Sequence, residues 1–139
     1  MSFLKDGLAE VWADSLAKAT GQAVYPHRRA EHAALPFSVV VVKRLQPIVQ
    51  AENVHMAEVR IVHVSDAVDS TTAEHRIRVG LLHKAIEATP RPAIDTKSGL
   101  VLKGFFISDI EQVSGTGDDG KKVMSDVFII EAGVSGQWS

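Results

Sequence analysis

Residues 54–88 place the strongest limit on the fold of this chain, because a strand pattern runs almost directly into a helix pattern there. Residues 54–65 are apolar-rich, residues 66–70 form a polar break, and residues 72–88 have the spacing of an amphipathic helix. Further strand patterns lie before this segment, at 37–42, and after it. The order predicts an α+β fold: a single, mainly antiparallel sheet of four to five strands, two main helices and a closing β-hairpin.

Composition sets the class of protein. A chain of 139 residues with 45% hydrophobic content predicts one domain, residues 1–139, with one core. The absence of cysteine excludes disulfides, thiolate nucleophiles and cysteine-based zinc sites. A net charge of −2 provides no strong field for nucleic acid or an anionic membrane. The longest apolar run, 39–42, is far shorter than the ~20 residues of a membrane span, and no signal peptide pattern is present. We expect a soluble protein made inside the cell.

The first helix is predicted from one apolar row near the N-terminus. Its members recur every three or four residues: Leu4, Leu8, Val11, Trp12, Leu16 and Ala19. Gly21 is well placed to end this helix. The polar, basic segment 23–35 contains Pro26, with Pro36 just beyond it, and predicts one short edge strand and a loop.

The second helix has a clear start and stop. Thr71 and Glu74 match a capping box, and Thr89 precedes Pro90, a position that disfavours helical backbone. The predicted buried face comprises Ile77, Leu81 with Leu82, and Ala85 with Ile86. Arg76, Lys84 and Glu87 are predicted to face solvent or a neighbouring subunit. Glu74 and Arg78 are predicted to pair on the solvent side.

The C-terminal third predicts a long hairpin. Residues 100–113 and 122–132 form its arms, and residues 114–120 form a turn that is too long and glycine-rich for a tight loop. The turn joins two strands, whereas a phosphate-binding loop joins a strand to a helix N-terminus. We therefore interpret it as an exposed hairpin tip and a candidate partner contact, formed by Gly115, Thr116, Gly117, Asp118, Asp119 and Gly120.

Several strand patterns are apolar at successive positions, which indicates that both faces of the sheet are covered. The segments are 37–42, 101–102 with 105–107, and 127–130. Two arrangements explain them. The two helices cover opposite faces of a monomer, or one face has no helix and neighbouring subunits cover it.

No pattern of catalytic or metal-binding residues emerges. The six histidines (27, 32, 55, 63, 75 and 83) include no i,i+4 pair. His55 and His63 share a strand face ~26 Å apart, and His75 and His83 lie ~12 Å apart along a helix, too far to share a metal. We therefore predict no cofactor, no metal site and no catalytic residues, and interpret the basic cluster 27–29 as a solvated loop or protein contact.

The order of these patterns resembles the tail terminator family of long-tailed phages, also called tail completion or tail-to-head joining proteins. The resemblance extends over residues 3–132. It lies in an N-terminal amphipathic helix, the strand pattern 35–41, and a long strand ending at 62–65. A polar break, a helix with Ala73, Ile77, Leu81, Ala85 and Ile86, and a closing hairpin follow.

The resemblance implies a structural virion protein without enzymatic activity. Members form a hexameric ring that caps the finished tail tube, stops polymerisation of the tube protein and docks onto the head connector or neck proteins. The implied location is the tail–neck junction of the virion, with the host cytoplasm as the site of assembly. DNA would pass through the lumen without specific binding, and no membrane is involved.

Two other functions remain open at this stage. One is a different phage structural subunit, of the neck, tube or baseplate. The other is a small enzyme with a histidine or aspartate base, for which His63 or His75 would need to lie in a cleft with a second titratable group.

Overall fold

A computed structural model describes residues 2–26, 35–47, 54–66, 72–89, 93–94, 101–116 and 122–135. The elements in chain order are α1 (Ser2–Thr20), β1 (Val24–Pro26), β2 (Phe37–Pro47), β3 (Val54–Asp66), α2 (Thr72–Glu87), β4 (Ala93–Ile94), β5 (Val101–Thr116) and β6 (Lys122–Ser135). The predicted N-cap, Thr71, lies outside the described residues. No helix in the described ranges is long and apolar enough to cross a membrane.

The strands form one sheet in the order β1-β2-β3-β6-β5-β4. Every pairing is antiparallel except the short parallel pair of β1 with β2. The predicted α+β class, with a mainly antiparallel sheet, two helices and a closing hairpin, is confirmed. Four long strands form the body of the sheet, and the short edge strands β1 and β4 bring the number described to six.

Both helices lie on the same face of this sheet. Directly paired residues of antiparallel strands share a face. The register Val40↔Ile61↔Phe128 therefore defines one face, and all three side chains are fully buried. The helices supply Leu8, Trp12 and Leu16 from α1 and Leu82 and Ile86 from α2 to the same core. The opposite face, called the outer face below, carries no helix that the structure describes.

The first helix agrees with its predicted row except at one end. Leu8, Trp12 and Leu16 are buried, but Ala19 is exposed because the inward row continues through Ala9 and Ala13 instead. The side chain of Leu4 lies outside the described residues. Gly21 follows the helix with φ 69°, a left-handed conformation that glycine adopts without strain, and its N–H donates to the carbonyl of Ala17.

The second helix is rotated relative to its prediction. Its inward side chains are His75, Leu82 and Ile86, whereas Ile77 and Leu81 are 64% and 47% exposed. The prediction that Ile77 and Leu81 face the sheet was wrong. The prediction for Ile86 is confirmed, and Arg76, Lys84 and Glu87 are exposed as predicted.

Arg78 also departs from its predicted position on the solvent side. It is half-buried and its guanidinium reaches the sheet, where Nε donates to His63 and a terminal nitrogen donates to Ser65. Polar side chains therefore occupy the inward positions in the first half of α2, where the prediction expected apolar ones.

The hairpin is longer than its predicted arms. β5 continues through Gly115 and Thr116, which pair with Val123 and Lys122 instead of forming part of the turn. The other predicted tip residues, Gly117, Asp118, Asp119 and Gly120, lie outside the described residues. Two β-bulges interrupt the register of β5, between Leu102 and Gly104 and between Ile107 and Asp109.

Candidate functional site: the outer face and a buried polar network

The outer face of the sheet is a broad apolar surface. The register places its apolar side chains together across four strands: Phe37, Val39, Val41, Val62, Val64, Phe106, Val113, Val127 and Ile129. Phe106 is 57% exposed and Val113 is 48% exposed. Of the two arrangements considered for the two-sided strands, the structure therefore has the one with a helix-free face. A clustered apolar surface of this kind is typical of a protein–protein contact.

Charged side chains divide the outer face into two regions. Towards β2 and β3, Glu58 is paired with Arg44 at 3.0 Å and with Arg60 at 3.3 Å. Towards β5 and β6, Asp109, Glu111 and Glu131 make no ion pair with any other residue in the described ranges. The register sets Glu131 opposite Phe106, Asp109 opposite Ile129 and Glu111 opposite Val127, so these acids alternate with the apolar side chains. We call Asp109, Glu111 and Glu131 the acidic patch.

A second feature lies on the inner face, between α2 and the sheet, where polar side chains replace apolar ones. The register aligns Ser38 with His63 and His63 with Asp126 across three neighbouring strands. His75 and Arg78 extend from α2 towards these residues on the inner face of the sheet. The members of this buried network are Ser38, His63, Ser65, His75, Arg78 and Asp126.

Arg78 fixes the donors and acceptors of the network, because a guanidinium only donates. Its Nε donates to His63 Nε2 at 3.3 Å, so the proton of neutral His63 lies on Nδ1, which donates to Ser38 Oγ at 2.8 Å. Arg78 Nη2 also donates to Ser65 Oγ at 2.8 Å.

His75 connects Ser65 to the carboxylate. Ser65 Oγ is hydrogen-bonded to His75 Nδ1 at 2.7 Å, and His75 Nε2 donates to the carboxylate oxygen Oδ1 of Asp126 at 2.7 Å. The rings of His63 and His75 lie 5.4 Å apart. Each buried member therefore has a partner, as a stable interior requires.

Electrostatics keep His63 neutral. Burial, reinforced by the neighbouring His75 and Arg78 and opposed by Asp126, lowers the pKa of His63 to about 4. A neutral imidazole agrees with the acceptor role of its Nε2 towards Arg78.

Acid is expected to weaken the fold through His63. Its pKa is depressed, so between pH 6.5 and about 4 the unfolded chain binds a proton that the folded chain does not. The contribution of His63 to the free energy of unfolding is complete above pH 6.5 and is lost as the pH falls towards 4. A pKa difference of this size between the unfolded and folded chains corresponds to on the order of 3 kcal/mol. Urea denaturation at pH 7, 5.5 and 4 measures it. His63→Gln should flatten the slope of unfolding free energy against pH relative to the native chain, and His83→Gln, at a partly exposed position, should not. Equal slopes in all three proteins would contradict the assignment.

Asp126, His75 and Ser65 are hydrogen-bonded in the order of a hydrolase triad, but a substrate could not reach the Ser65 hydroxyl. Ser65 has no exposed surface, His75 is 5% exposed, and the Ser65 oxygen already accepts from Arg78. A nucleophile must reach a substrate carbonyl. The network instead attaches α2 to the sheet by hydrogen bonds.

A surface concavity lies elsewhere in the described part of the chain. It has a volume of about 200 Å³ and is lined by Ala57 together with the outer-face residues Arg44, Gln46, Met56, Glu58 and Glu131. His63 and His75 do converge, as an enzyme would require, but on the opposite side of the sheet from this concavity. Within the described ranges no group of three or more histidine or acidic residues is arranged to hold a metal ion.

Sequence reasoning compared histidines only within single elements and therefore missed the contact of His63 with His75. A signal was present in β3. His55, His63 and Ser65 occupy the same side of the pleat as buried Val59 and Ile61, so polar residues there needed partners from another element. The inward position of His75, in the first turn of α2, was not predicted because Ile77 and Leu81 gave a stronger apolar signal on the other side of the helix.

Comparison with known proteins identifies no family. No family model and no curated protein matches the chain. One chain in a solved structure of the virion of a native gene transfer agent particle is 16% identical, with 87% of this chain and 84% of that chain covered and a TM-score of 0.48. A second solved structure is 9% identical over 99% of this chain and 96% of its own length, with a TM-score of 0.44. Similarity at this level does not decide the function.

Proposed function

We propose that this protein is a structural subunit that works by assembling with copies of itself through the outer face of its sheet. The observation that supports the proposal is the helix-free apolar face, on which Phe106 and Val113 are about half exposed. Removing apolar surface from water stabilises an interface by about 25 cal/mol per Å². A neighbouring subunit supplies the cover that the inner face receives from α1 and α2.

The specific role we propose is that of a tail terminator: a ring of six copies that caps the tail tube, ends its polymerisation and joins the tail to the head connector. The element order supports this role, because a long helix, two long strands, a second helix and a closing hairpin follow one another as the sequence resemblance implies. In this role the partners are the tail tube protein and the connector or neck proteins. The protein is made in the host cytoplasm, resides at the tail–neck junction and lets DNA pass without specific binding.

The hairpin tip is proposed as the contact with an axial partner. β5 and β6 remain paired to Thr116 and Lys122, so the tip is presented at the end of a long two-stranded arm. Gly115 and Thr116 form the last rungs of this arm. A loop held by a rigid ladder is well suited to recognition.

The assembly proposal predicts a ring rather than a monomer. Six copies of the 15.0 kDa chain give a closed ring of about 90 kDa, formed by a head-to-tail interface. Native mass measurement over a wide range of concentrations, with electron microscopy of particles that contain the protein, tests this. Sixfold rings at the tail–neck junction are expected. Rings in the tube or baseplate would assign the protein to another structural role, and a monomer that is absent from particles would refute self-assembly.

A further inference from the structure

The exposed side of α2 carries a second apolar surface that the monomer does not use. Ala73, Ile77 and Leu81 follow one another at four-residue spacing and are all exposed. Residues at this spacing form one row along a helix. We call Ala73, Ile77 and Leu81 the outer stripe of α2. It points away from the core formed by Leu82 and Ile86, so it and the outer face of the sheet lie on opposite sides of the molecule.

We propose that the outer stripe of α2 in one copy docks on the β5–β6 part of the outer face in the next copy. This inference rests on the proposed self-assembly and names the two surfaces that meet. The occupant is a second copy because the chain itself has both halves of a matching contact. Two different surfaces on opposite sides form a heterologous interface, which is the type that closes into a ring.

Charge complementarity supports this pairing. Arg76 and Lys84 flank the outer stripe, are exposed and make no ion pair with another described residue. Two acids also lie on α2: Glu87 is 3.7 Å from His83, and Glu74 makes a contact within the chain. The two cations lie beside the outer stripe, and the acidic patch presents three negative charges.

The spacing of these charges also matches. Arg76 and Lys84 are eight residues apart, which is ~12 Å along a helix axis. Glu111 on β5 pairs with Val127 on β6, and Val127 is four residues before Glu131. Glu111 and Glu131 are therefore ~13 Å apart in the direction of the strands. A helix lying along β5 and β6 therefore brings a cation near each of these acids. The outer stripe then lies over Ile129, which is between the two acids, and over Phe106, which is opposite Glu131.

Gly80 provides an independent sign of close approach. It lies mid-helix beside the outer stripe and is exposed, and a Cβ there would meet nothing within 4 Å inside the chain. Packing among the described residues of the monomer therefore does not require glycine at position 80, although glycine weakens helices. The backbone of a neighbouring subunit packed closely against α2 would require it. Gly80→Gln is expected to raise the Tm of the monomer while weakening assembly.

Two blocking variants test which surfaces meet. Ile77→Glu removes the outer stripe and Phe106→Glu removes its receptor; both positions are more than half exposed, so both variants should fold. Each variant alone is expected to be monomeric by native mass measurement. An equimolar mixture should form a 1:1 dimer that does not grow, because each variant retains the half that the other lacks. Ala19→Glu, which adds the same charge at an exposed position on α1, should assemble like the native chain.

Charge reversal tests the pairing itself. Arg76→Glu with Lys84→Glu in one chain, or Glu111→Lys with Glu131→Lys in another, should each weaken assembly at least tenfold, and all four changes together should restore most of it. Unchanged assembly in the blocking variants would overturn this docking mode and leave self-assembly intact. Failure of the mixture to form the 1:1 dimer would likewise overturn it. A native chain that is monomeric at every concentration, and absent from particles, would overturn both proposals.

Discussion

Replacing Asp126 with alanine is expected to lower the free energy of unfolding by about 3 kcal/mol or more. The change leaves the Nε2–H of His75 buried without an acceptor. Asp126 and His75 are both almost fully buried, so water cannot replace the lost bond without opening the network. Chemical denaturation followed by far-ultraviolet circular dichroism gives the value.

Two controls separate the hydrogen bond from other effects of the substitution. Asp126→Asn keeps an acceptor oxygen and should cost less than Asp126→Ala. Glu87→Ala removes an acid that is 54% exposed and is expected to change stability by no more than about 0.5 kcal/mol. Equal losses in the two Asp126 variants, or a loss below 1 kcal/mol for alanine, would show that the network does not attach α2 to the sheet.

Truncation of two neighbouring leucines on α2 is expected to cause a large loss of stability at one position and a small change at the other. Leu82 is fully buried, so Leu82→Ala should lower the free energy of unfolding by about 2–5 kcal/mol through lost burial and the cavity left behind. Leu81 is 47% exposed, so Leu81→Ala should change the stability of the monomer by no more than about 1 kcal/mol.

The two variants have the same chemistry and adjacent positions, so each is a control for the other. Both are measured by thermal and urea denaturation at a concentration where the chain is monomeric. A larger loss for Leu81→Ala than for Leu82→Ala would restore the helix rotation predicted from the sequence and contradict the one observed. On the docking mode proposed above, Leu81→Ala should weaken assembly although it leaves the monomer nearly unchanged.

The main architecture was predictable because the long elements have strong local signals, whereas the two-residue strand β4 was not predicted. The strand patterns at 37–42 and 54–65 and the row of α1 identified the elements from periodicity alone. The rotation of α2 was not predictable in this way. Its inward side begins with His75 and Arg78, which are buried because Ser65 and Asp126 bond them, while its outward side carries Ile77 and Leu81. Periodicity assigned the apolar row to the core, although in this helix part of that row lies on the surface.

The outer face and the buried network likewise could be predicted only in part from hydrophobic periodicity. Apolar runs such as 127–130 predicted apolar side chains on both faces of the sheet, but only the tertiary arrangement shows that both helices lie on one face. The buried network joins residues from β2, β3, α2 and β6, and no spacing within one element reveals a contact between His63 and His75. Such contacts depend on where α2 crosses the sheet, which hydrophobic periodicity does not specify.

The edge of β5 has a consequence for a protein proposed to stop a polymer from growing. β4 pairs with β5 only at Val101 and Leu102, so from Lys103 onward the edge of β5 that points away from β6 has no partner strand among the described residues. A long open edge invites another strand to add, and a chain that added strands in this way would lengthen indefinitely. Two bulges and the charges of Asp109 and Glu111 interrupt this edge. The irregularity of β5 thus disfavours unlimited addition of strands at this edge. Assembly then proceeds through contacts between faces, and it stops when the ring closes.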